Sequence, residues 1–64
     1  MGLFDIEVFW TFEDSDVIHI YRNTFYVKDP LEKIRHKTEE IKRLQDQFAH
    51  TITVLHWNMQ QVMR

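Results

Sequence analysis

The most constraining feature of this chain is a regular alternation of apolar and polar residues near its start. Large apolar side chains occupy every second position, at Phe4, Ile6, Val8, Trp10 and Phe12. The positions between them are mostly polar, and Phe9 is the exception. A period of two built from aromatic and β-branched residues is typical of a strand with one buried face. We therefore predict a strand over about residues 3–13.

A second strand is predicted over about residues 17–28, after a polar turn at 13–16. If Phe12 lies opposite Val17, the inner face gathers aromatic pairs and the outer face places Glu7 opposite Arg22. The opposed pairs in this register are Trp10–His19, Val8–Tyr21, Ile6–Asn23, Phe4–Phe25, Thr11–Ile18, Phe9–Ile20, Glu7–Arg22 and Asp5–Thr24. The alternative is a break at Arg22-Asn23, which would give three short strands.

Asp29-Pro30-Leu31-Glu32 is a strong helix start signal. Asp29 suits the N-cap, Pro30 suits the first helical position, and Glu32 is placed for a capping box. Apolar residues then recur every seven positions, with further apolar residues between them: Ile34, Ile41, Phe48, Leu55 and Val62, then Leu44, Ile52 and Met59. This pattern predicts one amphipathic helix over about 30–63. Its weak point is the β-branched run at 51–54, where a bend or break would fall.

The predicted fold class is α+β: one domain over residues 1–64, with an N-terminal antiparallel β-hairpin followed by one long helix. Such a helix would be roughly 50 Å long, and it would overhang a hairpin of about 30–35 Å. A cysteine-free chain of 64 residues also has little core of its own. We therefore expect a homodimer or higher oligomer. The residues predicted for self-association are Ile41, Leu44, Phe48, Ile52, Leu55 and Val62.

Catalytic, cofactor and metal chemistry find little support in the sequence. The single glycine is Gly2, which leaves no glycine-rich phosphate loop. No two of the four histidines have the spacing of three or four that helical metal ligands prefer. Asp5 and Glu7 share a strand face, but strand acids beside an arginine more often form a charge ladder than an acid–base pair. We expect no enzyme activity, no cofactor and no metal.

The two halves of the chain differ in charge. Residues 1–29 contain six acidic and two basic residues, whereas residues 30–64 contain four acidic and six basic residues. Exposed apolar groups flanked by acids in the hairpin, together with Trp and Met near the C-terminus, suggest a protein-binding surface. The residues predicted to bind a partner are Phe9, Glu13, Asp14, Asp16, Ile18, Ile20, Trp57, Met59 and Met63.

The function expected from these features is protein–protein interaction. The chain would be a small regulator, inhibitor or assembly adaptor, soluble and cytoplasmic, with no membrane segment and with an unidentified protein as its partner. By analogy of type alone, it is comparable to the compact inhibitors that phages encode. The alternative is a nucleic-acid or nucleotide-binding module that uses the basic face of the helix. Salt-sensitive binding to nucleic acid would separate the two.

Overall fold

The fold is a three-stranded antiparallel sheet with one helix. The computed structural model describes residues 2–63, and of Met63 it describes the backbone alone. Strands β1 (Gly2–Phe12), β2 (His19–Val27) and β3 (Ile52–Met63) and helix α1 (Pro30–Gln47) follow in the order β1-β2-α1-β3. The strand order in the sheet is β2-β1-β3, so β1 is central. The predicted α+β class is confirmed.

The hairpin register follows the sequence prediction. Trp10 lies opposite His19, Val8 opposite Tyr21, and Phe4 opposite Phe25. On the other face, Glu7 lies opposite Arg22, and their side chains form an ion pair at 2.7 Å. Strand β2 runs unbroken through Arg22 and Asn23, so the alternative of three short strands does not occur. The register brings all the large apolar side chains of β1 except Leu3 and Phe9 to one face, where a helix can cover them.

The helix begins where the start signal predicts. The Asp29 carboxylate accepts a hydrogen bond from the Leu31 N–H at 3.0 Å, and Pro30 occupies the first turn. The Glu32 side chain reaches back to the N–H of Lys28 at 3.0 Å, one residue before the N-cap. The variation on the capping box still satisfies a backbone donor at the entry to the helix.

The prediction that one helix extends over 30–63 is wrong in its second half. Helix α1 ends at Gln47, and residues 52–63 form β3. The chain reverses through Ala49 and His50, which have left-handed φ angles of 51° and 60°. The His50 N–H donates to the Gln45 carbonyl at 2.8 Å and closes the end of the helix. The β-branched residues that follow favour an extended strand over another helical turn.

Strand β3 pairs with β1 in a register that shifts twice. Phe9 lies opposite His56 and Trp10 opposite Val54, so Leu55 is an extra residue. A second shift between Leu3 and Phe4 makes Val62 the extra residue at the other end. Such bulges bend a strand and interrupt its alternation. The regular part of β3 is therefore the segment between them, residues 56–61.

The core lies between α1 and the inner face of the sheet. Ile6, Val8, Trp10, Leu44 and Ile52 form its buried cluster. Aromatic contacts close one end: Trp10 lies 4.8 Å from Phe48 and 4.4 Å from His19, measured between ring centroids. No helix in residues 2–63 is long and apolar enough to cross a bilayer.

The Glu7–Arg22 pair allows a test of the register. We expect the charge exchange, Glu7→Lys with Arg22→Glu, to be less destabilising than the two single reversals combined. The coupling should be about 0.2–1 kcal/mol, the range of cross-strand charge pairs. Urea denaturation of the four proteins measures it. A control cycle of Glu7→Lys with Arg35→Glu, on the helix, should be additive; additivity in the Glu7–Arg22 cycle would contradict the pair.

The turn after α1 allows a second test. Ala49→Gly should raise the free energy of unfolding by about 0.5–1 kcal/mol. The reason is that a left-handed conformation costs an L-residue about 1–2 kcal/mol, more than the additional chain entropy of glycine. Thermal and urea denaturation check this. The control Gln45→Gly, inside the helix, should destabilise the protein by about 1 kcal/mol. A destabilised Ala49→Gly variant would contradict the left-handed turn.

Candidate functional site

The outer face of the sheet carries an apolar patch at the turn end of the hairpin. Phe9 of β1 lies opposite Ile20 of β2 and opposite His56 of β3. The Phe9 and His56 rings are 5.8 Å apart between centroids. Ile20 is 53% exposed, and Ile18, just before β2, is 60% exposed. We call Phe9, Ile18 and Ile20 the hairpin-end patch. Among residues 2–63, the helix lies on the opposite face of the sheet.

Three acidic residues belong to the loop next to this patch, between β1 and β2. Glu13, Asp14 and Asp16 are all exposed. Backbone and side-chain hydrogen bonds hold the loop: the Thr11 hydroxyl contacts the Val17 carbonyl at 2.8 Å, and the Ser15 N–H donates to the Phe12 carbonyl at 3.1 Å. The loop is also tied to the start of β3, because the Glu13 N–H donates to the carbonyl of Thr51, the residue before that strand, at 3.0 Å. Hence the structure brings six of the nine predicted partner-binding residues to one end of the molecule.

The other three predicted partner-binding residues lie elsewhere. Trp57 and Met59 are on the inner face of β3, the side that α1 occupies. Met59 packs against the core, and Trp57 is 42% exposed with the Lys37 ammonium 5.0 Å from its ring centroid. The side chain of Met63 lies outside the described residues. The predicted partner site is thus divided between opposite faces of the sheet. The sequence analysis placed Trp57 and Met59 on a helix, but they belong to strand β3 and face α1.

The residues predicted for self-association are divided as well. Leu44 and Ile52 are buried in the core of a single chain, and Ile41 and Phe48 pack against it. Leu55 and Val62 are the two bulge residues of β3, and they are 50% and 49% exposed. The division arises because residues 52–63 form strand β3 and not the second half of a long helix. Part of the predicted self-association surface therefore packs within the chain's own core.

The middle of the outer face is polar. A shallow depression of about 270 Å³ lies there, lined by Asp5, Glu7, Arg22, Asn23, Thr24, Asn58 and Gln60. Its charged groups already have partners: Glu7 pairs with Arg22, and Asp5 accepts a hydrogen bond from the Thr24 hydroxyl. This arrangement is a charge ladder across the sheet, as the sequence suggested, and it provides fixed hydrogen-bonding groups.

A buried carboxylate joins the helix to the sheet, and sequence reasoning missed it. Glu40 is 4% exposed. It accepts hydrogen bonds from the Tyr21 hydroxyl at 2.6 Å and from the Asn23 amide at 2.9 Å, and Arg43 lies 3.5 Å away. The signal was present in the register, since that register places Asn23 on the inner face, where a polar partner is needed.

Most of the cations of α1 contact their own chain. The Lys33 ammonium lies 4.7 Å from the ring centroid of Phe4, much as Lys37 lies over Trp57. Arg43 contacts Glu40, and Arg35 lies 4.0 Å from Glu39. These contacts partly neutralise or cover the positive charge of the helix face that the sequence analysis considered as a nucleic-acid-binding surface.

The histidines are separated in the structure, and two of them stack on aromatic rings. His36 stacks on Phe25 with 4.3 Å between ring centroids, and His19 stacks on Trp10. His50 instead lies 3.0 Å from the Asp46 carboxylate. Within residues 2–63, no three acidic or histidine side chains are grouped so that they could hold a metal ion.

Tyr21, whose hydroxyl donates to Glu40, makes the stability of the fold depend on pH. Burial raises the pKa of the Tyr21 phenol above its ordinary 10.0, and the hydrogen bond to Glu40 raises it further. A group whose pKa is raised on folding contributes stability below the unfolded pKa, and this contribution is lost as pH rises through the folded pKa. Tyr21 therefore makes the folded state less stable as the pH climbs above 10.0.

We expect Tyr21→Phe to reduce the fall in stability above pH 10.0. At neutral pH the same variant should lose about 1.5–3 kcal/mol, because it removes a hydrogen bond to a charged group. Urea midpoints measured across this pH range check both effects. Tyr26→Phe is the matched control, since Tyr26 is exposed on the outer face of β2. An equal pH slope in wild type and Tyr21→Phe would contradict the coupling.

Comparison with known proteins adds no relative. No family model matches the chain, and no curated protein or solved structure shows significant similarity to it.

Proposed function

We propose that this chain is a non-enzymatic protein–protein interaction module: a small cytoplasmic regulator, inhibitor or assembly adaptor that acts as a homo-oligomer. The hairpin-end patch carries the proposal. The half-buried Phe9 and the exposed Ile18 and Ile20 form an apolar surface beside three exposed acids. A buried aromatic or aliphatic anchor surrounded by charged groups is the usual anatomy of a protein-binding site.

The chemistry of the patch defines the kind of partner. An apolar centre beside Glu13, Asp14 and Asp16 is complementary to a protein segment with apolar residues flanked by lysine or arginine. Charges at the rim of an interface mainly accelerate the encounter, whereas central apolar contacts mainly slow dissociation. The acidic loop and the patch therefore have separable roles.

Two observations support a binding role over the alternatives. The carboxylates of the outer face are engaged by Arg22 and Thr24, which leaves little room for acid–base chemistry. Four of the five lysine and arginine side chains of α1 cover aromatic rings or pair with acids of the same helix: Lys33, Arg35, Lys37 and Arg43. A phosphate-binding role would require them to leave these contacts.

The test starts with the protein that cross-links to the tagged chain in its native cells, identified by mass spectrometry. With that protein purified, the triple neutralisation Glu13→Gln, Asp14→Asn and Asp16→Asn should slow association several-fold at low salt. The difference should shrink as salt is added, because the steering is electrostatic. Stopped-flow or surface-based kinetics measure the rates. Glu39→Gln, a neutralised acid on the helix, is the matched control and should leave association unchanged.

The patch is tested in the same assay. Phe9→Ala and Ile20→Ala should each raise the dissociation rate by about tenfold or more, the effect of removing a central anchor. Circular dichroism of both variants establishes that the fold is retained. Unchanged dissociation in both variants would refute this location of the site. Steeply salt-dependent binding to a mixed-sequence duplex, lost in Lys42→Glu, would instead favour the nucleic-acid role.

A further inference from the structure

Strand β3 is an edge strand that lacks charged residues and proline, and its two bulges leave residues 56–61 regular. It is twelve residues long, and within residues 2–63 it pairs with β1 alone. Its sequence contains no Asp, Glu, Lys, Arg or Pro. Natural edge strands commonly carry charges or proline to prevent pairing with another chain. The other edge strand, β2, carries Arg22. The two edges of this sheet are thus unlike each other.

The helix also covers the two edges unequally. Tyr21, Asn23 and Phe25 of β2 contact Glu40 or His36 of α1. On β3, by contrast, Leu55, Trp57 and Val62 stay between 42% and 50% exposed. On the helix side of the sheet, Trp57 of β3 is thus left partly exposed, whereas the exposed apolar residues of β2, Ile20 and Tyr26, lie on the outer face.

An exposed flank of the helix adds to this surface. Lys37 contacts Trp57, which shows that this side of α1 is turned toward β3. Residues three and four apart share a helix side, so Ile34 and Ile41 belong to the same flank. Ile34 is 66% exposed. The β3 side of the domain thus carries apolar residues on both the edge strand and the helix flank.

We propose that β3 pairs antiparallel with β3 of a second copy of this chain, which joins two sheets into one of six strands. This inference rests on the homo-oligomer part of the proposed function and assigns its surface. A second copy is the fitting occupant because an antiparallel pair of identical strands is generated directly by a two-fold axis. A strand without formal charges also meets its own copy without like-charge repulsion.

The bulges restrict the possible registers. The extra residues Leu55 and Val62 confine regular pairing to residues 56–61. Opposed residues in an antiparallel pair must share a face. Two-fold axes at Asn58 and at Met59 both satisfy this condition and stay within the regular segment. We place the axis at Asn58, because it puts the apolar Trp57 opposite the apolar Met59, whereas an axis at Met59 would put Trp57 opposite the polar Gln61. Asn58 then lies opposite Asn58 of the other copy, and His56 lies opposite Gln60. The partly exposed Trp57 side chains then lie on the helix side of the β3–β3 pair, between the two helix flanks.

The first test of this surface introduces a charge. Asn58→Lys should weaken the dimer at least tenfold in sedimentation equilibrium, because it places like charges opposite one another at the axis. The fold should tolerate it, since Asn58 lies opposite Glu7 within its own chain. Thr24→Lys is the matched control: the same charge on the other edge strand, opposite Asp5, should leave the dimer constant unchanged.

The second test uses the absence of cysteine from the sequence. Opposed Cα atoms in an antiparallel pair are about 4.5–5.5 Å apart, within the range of a disulfide. Asn58→Cys should therefore form a covalent dimer under mild oxidation, and Thr24→Cys should not. A wild-type monomer at micromolar concentration would overturn both the dimer and the homo-oligomer part of the proposed function. A wild-type dimer that Asn58→Lys leaves intact, or that Thr24→Cys links and Asn58→Cys does not, would overturn this surface alone.

Discussion

The placement of α1 depends on the buried carboxylate of Glu40. From Lys33 to Glu40, the side chains that contact the sheet are those of Lys33, His36, Lys37 and Glu40. Apolar contacts come after them, from Ile41, Leu44 and Phe48. A buried charge is costly unless its hydrogen bonds are satisfied. Tyr21, Asn23 and Arg43 all reach Glu40, and this defines how the helix is rotated about its axis.

The rotation explains which apolar residues remain outside. With Glu40 directed inward, Leu31 and Ile34 are carried to exposed positions on the opposite side and flank of α1. The same arrangement draws the helix over β2, where its polar partners are, and leaves Trp57 on β3 only partly covered. A fully apolar inner face could have placed the helix centrally. The polar contact thus determines the exposed surface of the domain as well as its interior.

The sequence predicted the hairpin well and the C-terminal half poorly, for physical reasons. Alternation, an opposed Glu7–Arg22 pair and a capped helix start are local signals, and each was confirmed. The end of α1 has no glycine or proline, because Ala49 and His50 adopt the left-handed conformation themselves. In β3 the stripe residues Leu55 and Val62 are the two bulge residues, and they lie seven positions apart, the spacing of two helical turns. The heptad pattern was thus partly produced by a bulged strand.

The same reasoning accounts for the mixed outcome at the candidate site. The hairpin-end patch was predicted from residues that are close in sequence and paired by the register, so its geometry followed once β1 and β2 were aligned. Trp57 and Met59 were expected on an exposed helix, and they lie instead on the inner side of an edge strand. The fold therefore presents two distinct apolar surfaces, one on the outer face beside the acidic loop and one along the β3 edge. Because they lie on different sides of the sheet, one chain could bind a partner at the first while pairing with its own copy at the second.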